Sequence, residues 1–166
     1  VENLAALLTG NVDAATMTGP SGGTRAPAQG FRHVVYGPDL NIPFVAAAVI
    51  TRRSVLQTRA PAIDKFFRAT AEAMKIMFLD KELTYKVLAK QLRINDRKVL
   101  DAAYDEEIKV MERRLEFKKE AVQAIIHETG KVDARAKKIK PQDLVDRRFL
   151  DGLNKSGFFD KLWAGK

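Results

Sequence analysis

The spacing of apolar residues changes once along this chain, near residue 52, and that change limits the folds open to it. Residues 1–50 hold six of the ten glycines and four of the six prolines, with short apolar runs between them. From residue 55 onward the chain is charged and its apolar residues recur at threes and fours, the spacing of one helix face. In the first part, Leu4, Leu7 and Leu8 share a helix face that Gly10 ends. Val12–Met17, Phe31–Tyr36 and Phe44–Thr51 read as short strands, set apart by Gly19-Pro20, the Ser21-Gly22-Gly23 turn and Gly37-Pro38-Asp39.

In the second part, Pro61 suits a first helical turn. Ile63, Phe66, Phe67, Ala71, Met74, Met77 and Phe78 then follow on one face. Asp80 and Asp96 are placed to cap two further helices, the second carrying apolar positions as far as Leu115. Ala121–His127 predicts a shorter helix stopped near Gly130. Pro141–Leu153 predicts another, with Leu144, Val145 and Phe149 facing inward. Phe158, Phe159, Leu162 and Trp163 should dock on the body, because leaving them in water is costly. The expected fold class is therefore helix-rich α/β, with its strands confined to the first 51 residues.

Composition narrows function more than it assigns it. Hydrophobic residues at 46% and charged residues at 30% suit a chain with a core, not a disordered one. No apolar stretch approaches the roughly 18 residues that span a bilayer. Val1–Gly10 shows no cationic start, apolar block and cleavage site, so no secretory signal is read there. The absence of cysteine excludes disulfides and zinc–thiolate sites. The net charge of +8, from 29 basic and 21 acidic residues, raises nucleic-acid binding. Most basic residues alternate with acids along helices, though, and only Arg135–Lys140 forms a basic cluster; the expectation is a solvated surface and no nucleic-acid partner.

Catalytic chemistry finds no set of residues to carry it. His33 and His127 are the only histidines and lie in different elements without partner ligands, so no metal or cofactor is expected. Glu128, Asp146 and Asp151 are spaced as surface or capping carboxylates, and no nucleophile elbow, phosphate loop or dinucleotide fingerprint appears.

The order of short motifs points further. Gly10-Asn-Val-Asp-Ala-Ala15, after a leucine-bearing helix, resembles the G-x-V-D-A-A step of type II periplasmic binding proteins in the nitrate/sulfonate/taurine and thiamine-precursor group. Gly30-Phe31 and Val49-Ile-Thr-Arg-Arg53 are similar to that group's next strand start and its v-v-t-r strand end. Ala60-Pro-Ala-Ile-Asp-Lys-Phe-Phe-Arg-Ala69 looks like its P-x-x-v-x-x-F-l-x-A helix. Lys140-Pro-Gln-Asp-Leu-Val-Asp146, Phe149-Leu150 and Ser156-Gly-Phe158 resemble its tail.

The resemblance implies the second half of a two-lobed, extracytoplasmic solute-binding protein of an ABC importer. It implies no enzymatic activity; the pyrimidine-forming enzymes of the same fold rely on histidine and cysteine that this chain lacks in matching places. Residues 1–40 would belong to lobe two, 41–51 to the interlobe crossover, and 52–166 to the helical part of lobe one. The solute would meet Thr16, Met17, Thr18, Ser21 and Asn41, and the full-length partner would be the membrane permease. Alternatives are an effector-sensing domain of the same fold, or a self-associating half that dimerises to cover exposed sheet edges.

Overall fold

The computed structural model describes residues 2–19, 21–40, 42–45 and 47–165 and, within them, all side chains but those of Ser21, Thr24 and Pro38. Ten α-helices are described: α1 (Glu2–Leu8), α2 (Ala26–Ala28), α3 (Arg53–Thr58), α4 (Ala60–Leu79), α5 (Lys81–Leu92), α6 (Arg97–Val110), α7 (Lys119–Val132), α8 (Pro141–Leu144), α9 (Arg148–Lys155) and α10 (Phe158–Trp163). Wide or tight helical turns, Ser21–Arg25, Gly37–Leu40 and Ala134–Lys138, connect some of them.

Among the described residues there is no strand, which corrects the α/β expectation: the fold is helical. Val12–Met17 and Phe31–Tyr36 are irregular, as are the described residues of Phe44–Thr51. The physical reason is pairing. β-branched and aromatic residues favour a pleated surface, but a strand exists only where a neighbour takes up its backbone N–H and C=O groups. Among the described residues none of these runs takes another as its partner. Several of their side chains stay in water instead: Val34 is 89% exposed, Phe44 72% and Ile50 90%.

The chain divides into two compact units. One comprises Val1–Tyr36 and Ile76–Met111. Its interior is made by Thr84 and Tyr85 of α5, Leu100 and Ala103 of α6, and Ala26. Asp80 accepts from the backbone N–H of Leu83 at 2.9 Å, and Asp96 from Lys98 at 2.9 Å, so both expected caps are present. Tyr85 and Tyr104 meet edge to face with centroids 5.6 Å apart, and the Tyr104 hydroxyl donates to the Met77 carbonyl at 2.7 Å. The helix expected to reach Leu115 stops at Val110, and Leu115 turns the chain in the left-handed region at φ 58°.

The other unit comprises Gly37–Lys75 and Glu112–Lys166. Its core is Ala71, Leu150, Leu153 and Phe159, with Phe67, Leu115, Phe158, Leu162 and Trp163 packed around it. The terminal aromatic group thus docks as expected, and Phe67 and Ala71 of the α4 stripe face that core; Phe66 does not, at 48% exposed. A second cluster forms where Ala121, Val122 and Ile126 of α7 are buried beside Ala136. Gly130 does not stop α7. It lies inside the helix, where an added Cβ would come 3.1 Å from the Lys137 side chain, so the missing side chain lets the Ala134–Lys138 turn fold back.

The single helix expected over Pro141–Leu153 is two, broken at Val145–Arg147. Asp146 explains the break: its carboxylate accepts from the Arg148 backbone N–H at 3.1 Å and from the Arg148 guanidinium at 2.7 Å, holding a new helix start. Leu144 is consequently 57% exposed instead of facing inward, and Leu150 and Leu153 take the buried places.

Candidate functional site

The glycine-rich turn of the first unit is more constrained than its composition suggests. A Cβ on Gly22 would lie 2.9 Å from Cβ of Met17, and one on Gly23 would lie 2.0 Å from a carboxylate oxygen of Glu106. Glycine at both places lets the turn close onto residue 17 on one side and onto α6 on the other. His33 donates its Nε2–H to the Gly22 carbonyl at 3.0 Å, the only sense in which a ring nitrogen can meet that acceptor. The His33 ring stacks on Tyr36 at 5.4 Å.

This geometry gathers some of the expected site residues. Thr16, Met17 and Thr18 run along one irregular segment, the threonines exposed and Met17 half-buried against Gly22. The Thr16 carbonyl accepts from the Asn3 side chain at 2.7 Å, tying the segment to α1. Among the described residues neither threonine hydroxyl is engaged, so both are available as donors. Ser21 opens the adjoining turn. Asn41 lies outside the described residues.

Two concavities lie in the second unit. One, of about 410 Å³, is lined by Ala60, Pro61, Asp64, Arg148, Phe149 and Gly152. Its two charges are already spent internally: Arg68 holds Asp64 at 2.7 Å, and Asp146 holds Arg148 at 2.7 Å. What it offers is an apolar wall, with Phe149 stacked on Phe67 at 6.1 Å. The other, of about 370 Å³, is lined by Gln123, Ile126, His127, Gly130, Lys131, Lys137 and Ile139. Lys131 binds Glu128 at 2.6 Å and holds its carboxyl below the usual value. Neither concavity includes Thr16, Met17, Thr18 or Ser21.

The carboxylates singled out in the sequence are all engaged by cations. Asp146 is held low by Arg148, and Asp151 accepts from Arg147 at 3.2 Å. Among the described residues no group of three or more His, Asp or Glu side chains is placed to hold a metal.

Spacing along the chain did not reveal the charged network between α5 and α6. Lys81 lies 3.1 Å from Asp105 and 3.3 Å from Asp101, and its ammonium stands 5.0 Å from the centre of the Tyr104 ring and 5.4 Å from that of Tyr85. Arg97 stands over the other part of the Tyr85 environment, 4.2 Å from its centroid, and pairs with Glu82 at 2.9 Å. The Tyr85 hydroxyl donates to Asp101 and, ahead of Lys81, keeps that carboxyl below its ordinary value. Tyr85 and Asp105 push the Lys81 ammonium above its own. The one sequence signal was Asp101 and Asp105 four apart on a helix face. These contacts fasten α5 to α6.

Comparison with family models, with curated proteins and with solved structures gave no match.

Proposed function

We propose that this chain belongs to the solute-capturing part of an ABC importer, as the portion of a two-lobed binding protein that supplies one wall of the solute cleft. The observation that carries the reading is the order of short motifs along the sequence, from Gly10-Asn-Val-Asp-Ala-Ala15 through Ala60–Ala69 to Lys140–Asp146 and Ser156-Gly-Phe158. Their local settings support it. Pro61 occupies the first turn of a 20-residue helix, Pro141 opens α8, and Gly157 takes the left-handed conformation at φ 69° that lets Phe158 and Phe159 turn onto the core.

On this reading no bond is made or broken. Thr16 and Thr18 donate hydroxyl hydrogen bonds to a small anionic or polar solute such as a sulfonate, nitrate or a pyrimidine, and Met17 supplies apolar contact. Affinity comes from a few polar groups in a cleft that the ligand closes by binding the closed state better than the open one. Residues 41–51 would supply the crossover between the lobes, and the membrane permease is the downstream partner.

Isothermal titration of the product of the full reading frame tests this, with nitrate, taurine, an alkanesulfonate, an aminopyrimidine and benzoate as probes. One probe should bind saturably, and Thr16→Ala and Thr18→Ala should each weaken it by about tenfold, the worth of one hydrogen bond to an anion. Failure of every probe to bind would remove the proposal.

A further inference from the structure

The described residues between Ile42 and Ile50 carry four large exposed apolar side chains away from any helix. Ile42 is 64% exposed, Phe44 72%, Val49 61% and Ile50 90%. No charge falls between Asp39 and Arg52. A run with such side chains, and with no backbone hydrogen bond among its described residues, is a template for another strand.

The sequence indicates which strand. Residues 44–50 read Phe-Val-Ala-Ala-Ala-Val-Ile, which is the same in apolar character and nearly the same in size when read backwards about Ala47. Val45 corresponds to Val49, and Phe44 to Ile50. In an antiparallel pair with a two-fold axis at the central residue, each position meets its mirror in the partner, the geometry of an isologous interface. Large side chains would then lie opposite large ones at both ends and small ones at the centre, where the backbones approach. The flanking charges choose the direction. Asp39 precedes the run and Arg52 follows it, so antiparallel pairing brings the acidic end of one copy to the basic end of the other; parallel pairing would set like charges together.

We propose that residues 44–50 form an antiparallel strand pair with the same residues of a second copy of this chain, in the register that places Ala47 opposite Ala47. The pairing rests on this segment alone and does not depend on solute capture. One strand pair covers less than the about 1,600 Å² of a standard interface, so association should depend on concentration.

Sedimentation equilibrium over a wide concentration range, with cross-linking, tests it. The chain has no cysteine, so single substitutions report register directly. Ala47→Cys should give a disulfide-linked dimer under mild oxidation, and Val45→Cys, whose counterpart is Val49, should not. Ile50→Lys and Phe44→Glu should each weaken self-association at least tenfold. A mixture of the two should restore it, because Lys at 50 then faces Glu at 44. Both replaced side chains are exposed, so the helical minima in far-UV circular dichroism should stay unchanged. A wild type that remains monomeric, whether because the segment is free or because another chain covers it, overturns the proposal. So does equal cross-linking at 45 and 47, or a mixture that fails to restore dimers.

Discussion

Among the described residues Leu153 and Phe159 are the largest side chains that the fold removes from water completely, and both belong to the core of the second unit. Truncating Leu153→Ala removes the transfer energy of its methyl groups and leaves a cavity, so unfolding in urea should show a loss of about 2–5 kcal/mol. Gly157 is the other sensitive residue. With φ at 69°, an alanine there should cost about 1–2 kcal/mol, visible as a lower midpoint with an unchanged urea slope. Acid should act through Glu116 and Asp146. The guanidinium of Arg147 holds Glu116 below its ordinary 4.5, and that of Arg148 holds Asp146 below its ordinary 3.8. A carboxyl whose folded pKa is depressed stabilises the fold above its unfolded value and loses that contribution as pH falls through the folded one. Stability followed by chemical denaturation should therefore be level from neutrality to about pH 5 and fall below 4.5. Glu116→Gln should make the fall shallower.

Among the elements, α5 and α6 show how far local chemistry was legible. Asp80 and Asp96 were readable as caps because a carboxylate just before a periodic run meets the free N–H groups of a first turn. Asp96→Ala should destabilise the fold by about 1 kcal/mol and lower the helical circular dichroism signal slightly. The ends of elements were less legible. Nothing in the spacing of Val99 to Leu115 announces a stop at Val110, and Gly130 looked like a terminator although it serves as a close-packing site within α7. The break at Asp146 depends on a side chain turning back onto its own backbone, which competes with helix continuation and leaves no periodic trace. For the candidate site, the sequence placed Thr16, Met17 and Thr18 together, but not the contact of residue 17 with Gly22, which only three-dimensional proximity reveals.

For the whole molecule, the helical part was legible while the strands expected in the first 51 residues did not form among the described residues, for one physical reason. A helix satisfies its backbone within itself, so its face pattern predicts it; a strand needs a neighbour that local pattern cannot supply. Val34, Phe44 and Ile50 carry strand propensity without a strand. Far-UV circular dichroism of the chain should accordingly be dominated by the helical minima, with no β contribution beyond what dimerisation at residues 44–50 adds with concentration. No helix among the described residues is long and apolar enough to cross a membrane. The function proposed for the molecule stands on motif order and on two exposed threonine hydroxyls, and calorimetric titration of the full reading frame's product reaches it most directly. The account predicts one solute per chain among the sulfonate, nitrate and pyrimidine probes, weakened when Thr16 or Thr18 is replaced by alanine. Flat titrations with every probe, or saturable binding indifferent to both threonines, would contradict it.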